Sequence, residues 1–226
     1  MKSQIVLTTN GFQRFYKFEN EKDFDQWEQS IFYNWAKQYN EKVDKYLKEL
    51  LEIYFDKILV ENDLFYETAC IEVYCGDDFK HINGFLCGEE NLGNGKSVTE
   101  KLRYIAGLEK CFQSAPITDR NLICYRSMDE KEAEFYKHNT FISKYLSVSG
   151  TLESLSNGFD TKTAYTILVP EGTRILCPNM IKPVIEPGKA IERHEAELIL
   201  PRCMTIKKRF GNYNLTNTRY TRYSQY

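Results

Sequence analysis

Between Asp23 and Leu59 the large apolar side chains fall at Phe24, Trp27, Ile31, Trp35, Tyr39, Val43, Tyr46, Leu47, Leu50, Leu51, Tyr54 and Ile58. Steps of three and four place them on one stripe, so the segment predicts one long amphipathic helix or two, with charged residues opposite. Packing on the chain's own core explains such a stripe better than an exposed surface for a partner helix. Residues 60 to 96 carry no clear period. Ser97-Val98-Thr99-Glu100 then has the spacing of a capping box, which starts a helix running through Ile105 to Phe112. No internal repeat or low-complexity tract is present.

Beyond residue 120 the pattern shortens. Asn121 to Arg126 is an apolar run ending in an arginine, and Lys144 to Ser149 is a second short strand with hydroxyls at Ser147 and Ser149. Ile167-Leu168-Val169 is a third, followed by Pro170-Glu171-Gly172-Thr173, and Glu195 to Arg202 is a fourth. Alternation along an extended Glu195–Arg202 strand puts Glu195 and Glu197 side by side on one face, with Ala196, Leu198 and Leu200 on the other. Neighbouring carboxylates repel, and a strand with only a structural role gains nothing from the pair. Taken alone, the pair reads as a solvated edge strand.

It does not stand alone. An arginine, a serine pair and a glutamate pair, each on its own strand and in this order, resemble the R-S-E class of mono-ADP-ribosyltransferases, the class of the clostridial binary-toxin enzymes. Leu122 to Arg126 is similar to that family's apolar-Tyr-Arg strand. Tyr145 to Ser149 is similar to its aromatic-x-Ser-Thr-Ser strand, with Val148 in place of the threonine. Ile167 to Thr173 resembles its strand ending in Pro-x-Gly-Thr, and Glu195 to Pro201 its Glu-x-Glu-apolar-Leu-Pro strand. The likeness spans roughly residues 120 to 210, the size of one domain core. It implies an α+β fold whose core is a two-sheet β-sandwich with an N-terminal helical lobe. The expected layout is a single ADP-ribosyltransferase domain over 1–226. Within it, the lobe covers about 20–115, the motif-bearing β core about 116–212 and a basic aromatic tail 213–226.

The resemblance also implies the chemistry. Enzymes of this class break the nicotinamide–ribose bond of NAD and pass ADP-ribose to a nucleophile, with NAD as substrate and no metal. Positive charge spreads over the ribose in an oxocarbenium-like transition state, as in glycoside hydrolysis, and a fixed carboxylate stabilises it. By resemblance Glu197 is that carboxylate. Arg126 holds the diphosphate or a ribose, a task suited to a planar guanidinium; its plain structural alternative is an ion pair with one of the two glutamates. Ser147 positions Glu197, and Ser149 supports the loop below. Glu195 bears on the acceptor, because Glu-x-Glu accompanies arginine acceptors. A guanidinium with a pKa above about 12 is a poor nucleophile that an adjacent carboxylate can orient and deprotonate. The partner is therefore a target protein modified at arginine. The segment 181–194, with Pro183, Pro187 and Gly188 and the charged Glu186, Lys189, Glu192 and Arg193, stands where the family's target-recognition loop lies. Two other readings stay open: an NAD glycohydrolase, in which water replaces the acceptor, and a non-catalytic binding module that keeps the cleft.

Composition adds bounds. The 226 residues are 42% hydrophobic and 14% aromatic, which supports a core. A net charge of −2 gives no general case for nucleic acid or membrane. No apolar run approaches the length of a membrane span, and Met1 to Thr8 is too short for a signal peptide. The seven cysteines, odd in number and irregular in spacing, read as reduced thiols of a protein made in the cytoplasm, compatible with later export by a signal-independent route. Cys70, Cys75, His81 and Cys87 lack Cys-x-x-Cys pairing and read as buried thiols and a histidine, not a metal site. Gly93-Asn94-Gly95-Lys96-Ser97 suggests a phosphate-binding loop, but such a loop needs glycine at position 90, where Glu90 would repel phosphate. The tail interleaves Tyr213, Tyr220, Tyr223 and Tyr226 with Arg219 and Arg222. Such spacing can meet single-stranded nucleic acid, though a docked terminal segment is the stronger reading.

Overall fold

The computed structural model describes residues 1–8, 11–50, 63–76, 78–89, 97–136, 140–158, 163–182, 196–209 and 212–217. They form two compact units interleaved along the chain. One comprises Met1–Ile31, Ile117–Ile175 and Arg193–Tyr226; the other comprises Phe32–Pro116 and Leu176–Glu192. No helix among the described residues is long and apolar enough to cross a membrane.

The first unit holds all nine strands found among the described residues. β1 (Lys2–Thr8) and β2 (Gly11–Lys17) form an antiparallel hairpin. The order continues through β3 (Leu122–Ser127), β6 (Ala164–Val169), β9 (Asn212–Asn217) and β8 (Met204–Arg209) to β4 (Thr140–Ile142). β5 (Leu146–Ser149) branches off β3 and carries β7 (Glu197–Leu200) on its far side. The α+β class is the one implied by the resemblance. Its two sheets are hydrogen-bonded here into one connected sheet that forks at β3. That strand pairs with β6 along its whole length, with β2 at Leu122, and with β5 at Tyr125. Phe15, Ile123 and Leu168 pack together in its core against Tyr125.

Two consequences were not legible from the motifs. A hairpin precedes the helices, so the chain opens on the sheet. The stretch expected as a tail begins as strand β9, parallel to β6 and antiparallel to β8; residues 218–226 lie outside the described residues. Val148 sits opposite Leu198 and is 3% exposed, an apolar pairing that accounts for valine at that position.

The long amphipathic segment becomes α1 (Glu21–Leu50). Its residues 21–31 belong to the first unit, where Phe24 and Trp27 are buried and stack with Phe18. The first unit also holds α5 (Glu130–Phe135) and α6 (Leu152–Gly158).

In the second unit the rest of α1 is joined by α2 (Asp63–Cys75), α3 (Phe79–Leu86) and α4 (Val98–Ser114). Trp35, Tyr39 and Val43 are buried there, as their spacing predicts. The capping box is present: Ser97 Oγ accepts from the Glu100 N–H, and Glu100 Oε2 accepts from the Ser97 N–H at 2.7 Å. Trp35 Nε1 and the Tyr39 hydroxyl both meet Ser114 Oγ near the end of α4, at 3.2 and 2.7 Å. The expectation of buried thiols fits Cys70 but not Cys87, which is exposed, or Cys75, which is half-buried; both lie near helix ends. Positions 90–96 lie outside the described residues.

Candidate functional site

Arg126 is on β3, one residue beyond the point where β3 meets β5. Its Nη1 donates to the Ser147 carbonyl on β5 at 2.7 Å. Its Nε and Nη2 both donate to Oε1 of Glu132 on α5, at 3.2 and 3.0 Å. The carboxylate partner is thus Glu132, a residue the sequence reading did not single out. That oxygen also accepts from the buried Tyr136 hydroxyl at 3.3 Å and lies 3.5 Å from Lys144 Nζ. Glu132 is held in turn at its backbone, where Asp129 Oδ1 caps α5 by accepting from the Glu132 N–H at 2.7 Å. Three of the five guanidinium N–H groups are engaged in these bonds, which leaves two for an anion as far as the described residues show.

The serines and Glu197 are brought together by register. Ser149 stands directly opposite Glu197 across β5 and β7, and opposite Tyr125 across β5 and β3. Directly opposed residues share a face, so Tyr125, Ser149 and Glu197 form one row. Ser147 lies two residues along the same face, opposite Ile199, and is a diagonal neighbour of Glu197. The residue facing Glu197 squarely is therefore Ser149, although Ser147 was the expected positioner. The Ser149 hydroxyl is buried and donates to the Thr151 carbonyl at 2.8 Å, tying it to the following turn. From there Thr151 Oγ1 bonds Ser154 Oγ, which bonds Glu21 Oε1 on α1 at 2.9 Å. Glu197 is half-buried, which leaves part of its side chain open to a ligand.

The extended run expected from Glu195 to Glu197 does not occur. β7 begins at Glu197, and Ala196 has a φ of +44°. Its carbonyl accepts from the Gly150 N–H at 2.9 Å, in line with the β5–β7 register, but the positive φ means that strand alternation cannot be carried back past Ala196. A left-handed alanine costs on the order of 1 kcal/mol and persists only when its surroundings enforce it. Glu195 itself lies outside the described residues, as do 183–194 of the expected recognition loop. The start of that loop is fixed in the second unit. Lys182 Nζ pairs with Asp44 at 2.6 Å, and the Lys182 N–H donates to Asn40 Oδ1 at 2.8 Å.

The Pro-x-Gly-Thr segment is a tight turn after β6. Gly172 takes a φ of +79°, which glycine adopts without strain. Thr173 Oγ1 and Thr118 Oγ1 both donate to the Pro170 carbonyl, at 2.6 and 2.9 Å. Nothing near the Arg126–Glu197 cluster resembles a metal centre: among the described residues no three His, Cys, Asp or Glu side chains are grouped to hold a metal ion.

Glu132 and Gly150 are the site residues that sequence reasoning missed. Asp129-x-x-Glu132 has the spacing of a helix start, and that local signal says nothing of an arginine on another strand.

The comparisons follow this geometry. BECa, the ADP-ribosylating toxin of a Clostridium perfringens binary enterotoxin, determined with NADH, matches with a TM-score of 0.56 at 14% identity, over 96% of this chain and 55% of that one. The enzymatic component C2-I of the Clostridium botulinum C2-toxin matches at 0.51 and 13% identity, over 94% and 52%. The Clostridium limosum C3 exoenzyme matches at 0.50 and 13% identity, over 89% and 95%. The chain thus spans about half the length of BECa and C2-I. At these identities the likeness is one of fold. A search of curated proteins finds no match. The family model described as ADP-ribosyltransferase exoenzyme matches residues 24–220 and takes in Arg126, Ser147, Ser149 and Glu197. Family and fold are those of NAD-dependent mono-ADP-ribosyltransferases, and the chain belongs to the ADP-ribosyltransferase exoenzyme family.

Proposed function

We propose that this chain transfers ADP-ribose from NAD to an arginine side chain of a target protein and releases nicotinamide. The observation that carries the reading is the register of three adjoining strands. Glu197 faces Ser149, Ser147 is diagonal to it, and the Arg126 fork is anchored to the backbone of the same serine strand. Family membership supplies NAD as the substrate.

In this reading the two remaining guanidinium N–H groups of Arg126 take the NAD diphosphate. The bond between ribose C1′ and the nicotinamide nitrogen breaks, and its electron pair leaves with nicotinamide. The Glu197 carboxylate lies against the resulting oxocarbenium and holds a ribose hydroxyl, supplying the fixed negative charge that the transition state requires. An acceptor guanidinium nitrogen attacks C1′, and its proton passes to Glu195, which carries the arginine preference. Ser147 and Ser149 keep the Glu197 strand in place.

The test is incubation of the protein with labelled NAD and a lysate of a candidate target cell, beside Glu197→Gln. Label on a protein band that disappears with Glu197→Gln, through a loss of about a thousandfold in rate, is the expected result. Hydroxylamine lability of the label then identifies an arginine linkage. Nicotinamide release without a labelled band replaces transfer by hydrolysis, and NAD left intact overturns the enzymatic reading.

A further inference from the structure

Gly150 follows the serine strand and precedes the turn at Thr151. A β-carbon built there would overlap Cδ2 and Cε2 of Phe24 and lie 3.3 Å from its Cγ. The Phe24 ring cannot step aside easily. It is fully buried, edge-on to Phe18 at 5.2 Å between centroids and tilted against Trp27 at 5.9 Å. On its other side Gly150 donates its N–H to the Ala196 carbonyl at 2.9 Å. Ala196 has the left-handed φ of +44° and is 5% exposed, and the next residue is Glu197. Ser149, just before Gly150, faces Glu197 across the ladder.

We infer that Phe24 and Gly150 form a clamp that positions Glu197. The ring of α1 sets how closely Gly150 approaches, and the Gly150 N–H holds Ala196 in the conformation from which β7 starts. A strained backbone persists only when its neighbours over-determine it, and here the neighbours are a glycine that admits no side chain and a ring fixed by two others. The clamp touches neither NAD nor acceptor, so its effect falls on the chemical step and not on NAD binding. The inference rests on the assignment of Glu197 as the catalytic carboxylate.

The test is size complementation. Gly150→Ala adds volume that Phe24→Leu removes, so the pair repacks where each single variant mispacks. Nicotinamide release gives kcat and KM, calorimetry gives the Kd for NAD, and thermal melting reports folding. Gly150→Ala is expected to lower kcat by about tenfold or more while the Kd for NAD moves by less than about threefold, the pattern of an interaction made only in the transition state. Phe24→Leu loosens the clamp from the other side, with a smaller loss of kcat. The double variant recovers above both. Unchanged kcat in Gly150→Ala, or a double variant no better than the product of the singles, overturns the inference. If Gly150→Ala does not fold, Phe24→Leu decides: lowered kcat with an unchanged Kd supports the clamp, and unchanged kcat removes it. Wild-type protein that neither binds NAD nor releases nicotinamide overturns the catalytic reading, and the clamp with it. A wild type that does both while the variants show no coupling overturns the clamp alone.

Discussion

The arginine–carboxylate hub shows how much one residue's role depends on what lies around it. Arg126 is recognisable in the chain because it ends an apolar strand. The side chain that orients it, Glu132, sits among Asp129, Glu130 and Glu134, where an acidic helix start is ordinary. Only the fold brings Glu132 Oε1 within hydrogen-bond reach of Arg126 Nε and Nη2 and of the Tyr136 hydroxyl. Glu132→Gln keeps the shape but removes the charge, and leaves an oxygen or an amide facing four donors. If the carboxylate aims the fork at the NAD diphosphate, affinity for NAD falls by about tenfold, the worth of one charge-assisted hydrogen bond. If instead Glu132 competes with the diphosphate for Arg126, affinity rises. Calorimetric titration of NAD into wild type and Glu132→Gln separates the two, and the expected sign is a loss. Glu197 stands out in the sequence by contrast, because paired carboxylates beside an apolar alternation need explaining. What could not be read was that Ala196 leaves the extended region, since its φ of +44° reflects no preference of alanine.

At the scale of elements, legibility followed the strength of local signals. The cap at Ser97 was readable because Ser-x-x-Glu satisfies two orphan N–H groups reciprocally, and both bonds are present in α4. Ser97→Ala removes one of them and is expected to cost about 1 kcal/mol. Urea denaturation checks this, with Thr99→Ala inside the same first turn as the near-neutral control. Equal stability of Ser97→Ala and wild type would show that α4 is held by its packing on the neighbouring helices and not by its cap. The stripe of α1 was readable for the same reason: Trp35, Tyr39 and Val43 repeat at four residues and are all buried. The β1–β2 hairpin was not read, although Asn10-Gly11 is a hairpin signal and Gly11 takes a φ of +92°. Ile5, Val6 and Leu7 in succession hide the alternation that would mark a strand. The fork at β3 was beyond any local reading, since it joins partners from residues 16, 149 and 164–169.

The whole molecule is two units assembled from segments that alternate along the chain, and no composition shift marks where they exchange. Each unit buries a thiol whose titration the fold suppresses. In the first, burial pushes Cys124 on β3 up to about 12, from an ordinary value of 9.0. In the second, burial and then the nearby Glu67 charge push Cys111 well above its usual range. A raised value means that the folded chain keeps a proton the unfolded chain gives up. The thiols therefore leave stability untouched below the unfolded value near pH 9, and erode it as pH rises from there toward the folded value. By pH 10 the unfolded Cys124 is mostly ionised while the folded one is not, a difference on the order of 1 kcal/mol. Tyrosines and lysines titrate in the same range, so the decline in wild type alone does not isolate the thiol. The discriminating comparison is Cys124→Ala, which lowers stability at every pH through the lost packing but removes this titration. Urea denaturation at pH 8 and pH 10 is expected to show wild type losing on the order of 1 kcal/mol more between the two values than the variant does. Parallel losses would mean that the β3 thiol ionises as readily in the folded sheet as in the open chain, and that the core around Cys124 and its cross-strand partner Ile167 is not closed to water.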